Sequence, residues 1–394
     1  MIISIATGPW LPVPAIQGGA VNRRWQGVAE EFAVRGHQVR ILCRAHPDQP
    51  QTEVIKGVQY IRRGGFAQST NIAFDLVKDF IYAVSTVPTL PPADVLVTND
   101  FWLPVFVPLH PTSGKVVVNA ARAPKGQYFL YSGVDRIVGV SKAVQNAIIQ
   151  QNPRMASRVT SIPNPINTEI FTPSRLPKPE REEKVILYAG RIHPEKGLHL
   201  LIDAFTVLAQ KFPTIKLRII GPYQEHQGGG GQSYLQQLKL KAQNLNVEFL
   251  EPTFDPHQLA NFYRDADLFC YPSLAERGEA FGVAPLEAMA TGLVPIVSNL
   301  DCFRDFIIEG VSGYFFDHRS NQAISNLAKS LETVLKNWQQ TCNLAKNASC
   351  LAQEFSYSRT AESYLEEFEK LLISETSVSM KISKEAPKRS LKRN

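Results

Sequence analysis

The sequence has no cysteine framework. Its five cysteines (Cys43, Cys270, Cys302, Cys342, Cys350) are odd in number, widely scattered, and never spaced as CxxC. That excludes a disulfide scaffold and a cysteine-rich metal site, and it points to a reducing compartment. Long apolar runs are missing as well. No stretch reaches the ~18 apolar residues of a membrane span, and the nearest, VLVTNDFWLPVFVPL, contains Asp100, Pro104 and Pro108. The opening MIISIATGPW has no basic residues before its apolar run and reads as a first strand rather than a signal peptide. No GxGxxG is found, so a nicotinamide fingerprint is absent. Short internal repeats are absent too.

What is there suits a globular protein. The 394 residues are 44% apolar and 20% charged, enough for two domains or three. Six basic and two acidic residues between Glu375 and Asn394 account for most of the net charge of +6. The basicity therefore belongs to a tail, and no nucleic-acid partner is expected. A solvated disordered tail explains it. The sharper alternative is weak attraction to an anionic membrane surface, at about 1 kcal/mol per basic residue.

The chain alternates strand and helix twice. IISIA, a Pro- and Gly-containing loop to Gly19, a helix over about Ala20–Arg35 and the strand QVRILC make a βαβ unit and hence a parallel sheet. VQYIRR, DVLVTN, KVVVNA and RIVGVS supply further strands. TPSRLPKPEREE, with three prolines and mixed charge, is a linker. The alternation then restarts with VILYAG, a helix over Gly197–Lys211, KLRIIG, VEFL, a helix over His257–Arg264, DLFCYP, a short helix over Pro285–Thr291 and LVPIVS. The fold class is α/β, with two doubly wound Rossmann-like domains in tandem. Ligands of such sheets bind beyond the carboxyl ends of the strands, so the cleft between the domains is the expected site. QGGGGQ (Gln227–Gln232) reads as a flexible loop.

Two stretches carry the chemistry. In GEAFGVAPLEAMATG, Glu279 falls in the loop after a buried strand, and Pro285 suits a first helical turn that would also hold Glu287. The backbone N–H groups of Phe281, Gly282 and Val283 are placed to face a ligand, and Gly282 permits a close approach. Two carboxylates beside N–H donors suit the hydroxyls of a sugar. A first-turn Glu287 that merely complements the helix dipole, worth about 0.3–1 kcal/mol, is the plainer reading. In YAGRIHPEKG, Arg191 and Lys196 lie between a strand end and a helix start, as in a diphosphate receptor. In the first half, Gly18 and Gly19 open a helix where a phosphate or sugar could meet backbone N–H groups. The DAD of Asp265–Asp267 lies at the wrong end of its strand for a catalytic metal site.

Together these stretches resemble the retaining glycosyltransferases of family four (glycosyl transferases group 1), which have the GT-B fold. The resemblance runs from IQGGAVNRRWQGVAEEFAVRGHQV to FSYSRTAESYLEEFEKLL, and its most specific pieces are GRIHPEKG and EAFGVAPLEAMATG. SIPNPINTEIF is similar to the family's interdomain segment, with Pro165 for a usual glycine and Asn167 for a usual aspartate. The resemblance implies a metal-independent transferase without a cofactor, moving a hexose from a nucleotide-diphosphate sugar, UDP by family habit, to a glycan, lipid-linked or small-molecule acceptor. It implies that Glu287 binds ribose, Glu279 holds the transferred sugar, Arg191 and Lys196 clamp the diphosphate, and Gly19 closes from the other domain. It implies four segments: an acceptor-side domain 1–168, a nucleotide-sugar domain 169–354, a helix 355–374 crossing back to the first domain, and the basic tail 375–394. The expected location is cytoplasmic, with peripheral contact at the inner membrane face through the tail. Ala121 occupies the place of a histidine common in the family, with Arg122 or Asn119 as substitutes. A catalytically inactive nucleotide-sugar-binding protein is the alternative reading.

Overall fold

The computed structural model describes residues 1–16, 19–69, 71–174 and 181–385, the stretch 374–385 as backbone. The chain forms two compact units. One comprises Met1–Val138, Ile148–Ile162 and the chain from Ser358 onward; the other comprises Gly139–Ala147 and Pro163–Tyr357.

In chain order the first half contains β1 (Ile2–Ala6), α1 (Ala20–Val34), β2 (Gln38–Arg44), β3 (Thr52–Ile55), β4 (Val58–Arg63), α2 (Ile72–Thr86), β5 (Val95–Thr98), the single turn α3 (Leu103–Phe106), β6 (Lys115–Ala120), β7 (Arg136–Gly139), α4 (Lys142–Gln151) and β8 (Val159–Ser161). Then follow β9 (Val185–Ala189), α5 (Leu198–Ala209), β10 (Lys216–Ile220), α6 (Gly231–Lys241), β11 (Val247–Leu250), α7 (Pro256–Asp265), β12 (Leu268–Tyr271), α8 (Val283–Ala290), β13 (Val294–Ser298), β14 (Tyr314–Phe316), α9 (Ala323–Lys336), α10 (Trp338–Ala352) and α11 (Tyr357–Glu385).

The sheet of the first unit runs β3-β4-β2-β1-β5-β6-β7-β8. Its core strands are parallel, and β3 folds back antiparallel on β4. Central strands such as VLVT are buried throughout, as strands covered on both faces must be. Helix α1 buries Trp25, Val28, Ala29 and Phe32, an i, i+3, i+4, i+7 stripe. That stripe meets α11: Trp25 lies 5.1 Å from the ring of Tyr364, and Phe32 lies 5.9 Å from Phe368. Between them Arg24, almost wholly buried, donates to the Tyr364 hydroxyl at 2.6 Å and the Ile162 carbonyl at 3.2 Å. The last helix thus packs within the unit built from the first residues. It runs to Glu385, past the end expected at residue 374 and into the stretch expected to be disordered, while 386–394 lie outside the described residues.

The second sheet is wholly parallel, in the order β11-β10-β9-β12-β13-β14. Strand β9 has β10 on one side and β12 on the other, so the winding reverses there. In sheets of this kind ligands bind beyond the carboxyl ends of the two strands that flank the reversal, here β9 and β12. The loops that leave them carry Arg191 and Lys196 on one hand and Glu279 on the other. Asp267, at the opposite end of β12, accepts from the Val185 amide at 2.8 Å and fastens the start of β9. All five cysteines are free, with Cys43, Cys270 and Cys302 buried.

At the carboxyl end of β5, Asp100 lies in a buried acidic pair with Asp79 of α2. Asp79 accepts through Oδ2 from the amides of Phe101 (3.0 Å) and Trp102 (2.9 Å). Its other oxygen and both oxygens of Asp100 have no partner among the described residues. Burial pushes Asp79 up to about 6; burial, with the charge of Asp79, pushes Asp100 well above the usual carboxylate range. The folded state therefore holds protons that the unfolded chain releases near pH 4. The stabilisation is complete at low pH and is lost as pH rises through the folded values. Asp100→Asn, which removes one charge, should raise the melting temperature at about pH 8 and flatten its decline from about pH 5. An identical decline in both proteins would remove the pair as its cause.

Candidate active site

Strand β9 ends at Ala189, and the chain turns through Arg191 and a tight turn at Pro194–Lys196 before α5. His193 caps that turn, its Nδ1 accepting from the Glu195 amide at 3.3 Å. The loop after β12 is stitched to it: the Leu274 amide donates to the Glu195 carbonyl at 2.7 Å. The stitch brings side chains 83 residues apart into contact. Lys196 Nζ lies 2.7 Å from Glu279 Oε2, and the Ser273 hydroxyl donates to the same oxygen at 2.8 Å. Lys196 is only 5% exposed.

Aromatic side chains make the floor. Tyr188 and Tyr271 stack with centroids 5.6 Å apart and planes 7° from parallel. Lys196 Nζ stands 5.5 Å from the Tyr271 centroid, within cation–π range. The Tyr188 hydroxyl donates to the Arg191 carbonyl at 2.8 Å and so fixes the backbone of that loop. Burial first, and then the Glu279 charge, push both tyrosines far up, so they stay neutral donors. The row continues through Phe269 to Tyr263. There the Tyr263 hydroxyl lies 3.2 Å from Glu287 Oε2. The four residues Arg191, Lys196, Glu279 and Glu287 thus border one aromatic row.

Arg191 is held from two sides. Its Nη1 donates to the Gly228 carbonyl at 2.5 Å, and its Nη2 to Glu195 Oε1 at 2.6 Å. The glycine run behind it is not the flexible loop its composition suggests. The amides of Gly228, Gly229, Gly230 and Gly231 bond to the carbonyls of Glu225, Gln224, Ile192 and Tyr223 at 2.8–2.9 Å. A Cβ on Gly229 would collide with the Tyr223 backbone, so small size here serves close packing. Each clamp cation is therefore already paired with a carboxylate, Arg191 with Glu195 and Lys196 with Glu279.

Three sequence readings change at the second stretch. Helix α8 begins at Val283, not Pro285, so its first turn holds no acid. Glu287 falls in the second turn and is 8% exposed, placed by Tyr263 rather than by the helix dipole. Gly282 caps α8, and a Cβ there would come 2.4 Å from the Phe303 ring; packing, rather than ligand approach, already demands glycine. Phe281 turns inward onto Phe306 at 5.1 Å. In the first unit, Gly19 caps α1 opposite Leu11, and Gly18 lies outside the described residues. Arg122 is exposed on the loop after β6. Asn119 is buried and committed, donating to Asn99 at 2.7 Å and accepting from Tyr364 at 3.4 Å. It is not available as a stand-in for the absent histidine.

Sequence reasoning missed Tyr263, Ser273 and Glu195. Glu195 was visible in principle, four residues after Arg191; the other two act through contacts that no local spacing marks.

Residues 172–349 match the family model described as glycosyl transferases group 1. The chain is 29% identical over 335 residues to phosphatidyl-myo-inositol mannosyltransferase of Mycobacterium tuberculosis, covering 81% of this chain and 84% of that protein. Among solved structures it is similar to sucrose-phosphate synthase from Thermosynechococcus elongatus, with TM-score 0.74 and 18% identity over 95% of this chain and 100% of that one. It is also similar to Anabaena Alr3699/HepE, solved in complex with UDP-glucose, with TM-score 0.69 and 19% identity over 94% and 100% of the two chains. The fold is GT-B, as the resemblance implied.

The ion pairs generate a test that needs no knowledge of substrate. Glu195 occupies Arg191 as an anion would, so any anion that binds that guanidinium has to displace it. Glu195→Gln should lower the dissociation constant for inorganic pyrophosphate by roughly three- to tenfold, read by calorimetry. Equal or weaker binding would show that Glu195 does not compete.

Proposed function

Because residues 172–349 belong to the glycosyl transferases group 1 family, we propose that the protein transfers a hexose from a nucleotide-diphosphate sugar, UDP first among the candidates, to a hydroxyl acceptor. Residues 169–354 take the donor and residues 1–168 the acceptor. The observation that carries the reading is the direct Lys196–Glu279 pair at the β9/β12 switch point, with Arg191 and Glu287 along the same aromatic row. UDP-glucose in the HepE structure and the mannosyltransferase relative support the substrate class.

Charge sets the mechanism. Arg191 and Lys196 bind the diphosphate, helped by the backbone N–H groups of Phe281, Gly282 and Val283 at the start of α8. As the bond between the anomeric carbon and the diphosphate oxygen breaks, negative charge grows on the diphosphate and these groups stabilise it. Glu287 binds the ribose hydroxyls. Glu279 accepts from hydroxyls of the hexose, which becomes oxocarbenium-like. The acceptor oxygen attacks from the face the diphosphate is leaving, and its proton passes to a diphosphate oxygen. The new bond retains the anomeric configuration, and no protein base is required. The two cations do the work of a metal ion.

The acceptor is a glycan, a lipid-linked sugar or a small molecule. The protein works in the cytoplasm, with its basic C-terminal residues in weak contact with the inner membrane face. No helix among the described residues is long and apolar enough to cross a membrane. Ala121, in place of the common histidine, keeps an inactive binder as a second reading.

Slow hydrolysis of UDP-glucose, or of another nucleotide hexose that raises the melting temperature, tests the assignment and separates an enzyme from a binder. Glu279→Gln should cut that rate at least tenfold, about 1.4 kcal/mol, while nucleotide diphosphate binds as well as before or better, since Lys196 is released. Unchanged turnover would refute the role of Glu279. Excess EDTA should leave the wild-type rate unaltered; loss of activity restored by a divalent ion would contradict the metal-independent mechanism.

A further inference from the structure

The loop that carries Glu279 is fastened a second time, at Glu276. The Glu279 amide donates to the Ala275 carbonyl at 3.0 Å, and the Gly278 amide donates to the same oxygen at 3.1 Å. The turn from Ala275 to Glu279 therefore closes on itself, and the place of Ala275 sets the place of Glu279. Glu276, beside Ala275, reaches to the segment that follows β14. His318 Nε2 lies 2.8 Å from Glu276 Oε1, and Arg319 Nη2 donates to Oε2 at 2.7 Å. Through Nη1, Arg319 also donates to the Asn299 carbonyl at 2.9 Å. One carboxylate and one guanidinium thus tie together the loops that leave β12, β13 and β14, which are neighbours in the sheet.

Glu276 and Arg319 are both about half exposed, and an ion pair of that kind ordinarily contributes little. His318 sets this one apart. Its side chain is 3% exposed, with the Phe316 ring 6.3 Å away. The hydrogen bond from Arg319, opposed by some desolvation and aided by His318, holds Glu276 below the usual carboxylate range. An ionised carboxylate only accepts, so Nε2 of His318 carries the proton. Its Nδ1 is buried and has no partner among the described residues. A buried polar atom left unpaired costs stability, and a phenylalanine would fill the space without that cost. What histidine adds is one donor aimed at Glu276.

We propose that His318 and Arg319 are positioning residues which, through Glu276, hold the turn that presents Glu279 to the hexose of the donor. Lys196 and Ser273 fix the Glu279 carboxylate, and the clamp on Glu276 fixes its backbone. A carboxylate held at both ends meets sugar hydroxyls without first having to be ordered. Arg191, Lys196 and Glu287 lie off this turn, so the clamp bears on the hexose and leaves the nucleotide diphosphate alone. The inference deepens the donor reading and rests on it for the identity of the ligand.

Amide hydrogen exchange in the ligand-free protein tests the clamp, and calorimetry with UDP and UDP-glucose tests its purpose. His318→Phe keeps the buried volume and removes the donor; Arg319→Ala alters only a half-exposed side chain, so it serves where His318→Phe fails to fold. Each should speed exchange of the Gly278 and Glu279 amides about tenfold. Each should weaken UDP-glucose roughly three- to tenfold and leave UDP as it was, with the melting temperature of Arg319→Ala unchanged. His318→Gln, whose side-chain nitrogen can take the Nε2 position, should restore both exchange and binding. Exchange unchanged in both variants would overturn the proposal, whatever the site binds. So would faster exchange with UDP-glucose unaffected, or with UDP and UDP-glucose weakened alike. If the wild type binds neither UDP nor UDP-glucose, the donor reading fails on that result, while the exchange rates still decide whether His318 and Arg319 hold the turn.

Discussion

The contact between Lys196 and Glu279 is the constraint on which the geometry of the second unit's candidate site depends. Both side chains are nearly excluded from water, and taking two ions out of water costs free energy that their attraction repays only with good partners. The Ser273 hydroxyl and the Tyr271 ring supply them. Such a pair is weak as a source of stability. Its value is that it holds an ammonium and a carboxylate at fixed positions beyond the carboxyl ends of β9 and β12, where breaking either leaves a buried charge uncompensated. The neighbouring Arg191–Glu195 pair is half exposed and exchanges more readily. One cation is thus locked in place and the other is held by a replaceable anion.

Much of this was legible in the sequence, because local spacing encodes it. Apolar runs of four to six residues between glycine- and proline-containing loops fixed the central strands. Arg191 and Lys196 between a strand and a helix, and Glu279 after a buried strand, could be placed at one sheet edge from chain order alone. Elsewhere, contacts from distant parts of the chain decided matters. Pro285 suggested a helix start, yet α8 begins two residues earlier, and the side chain that meets the Glu287 carboxylate is Tyr263, on α7. Gly282 was read as space for a ligand, whereas the ring of Phe303 fills it. The run of four glycines read as slack; the backbone of Tyr223 and the guanidinium of Arg191 leave it none.

The first unit carries an opposite balance. It buries an acidic pair without full hydrogen-bonding partners, and on the same helix it turns phenylalanine, valine and isoleucine outward. Both choices cost stability in water. Periodicity alone would have oriented α2 the other way round. Only the fold shows which face Asp79 and Tyr82 occupy.

The continuity of the two units has a consequence for biosynthesis. The first unit needs Tyr364 and Phe368 to cover Trp25 and Phe32, and those residues leave the ribosome more than 300 residues after the ones they cover. That unit therefore waits for α11, while the Pro163–Tyr357 portion is made before it. During that interval the stripe of α1 stays uncovered, and the nascent chain is open to chaperones and proteases there.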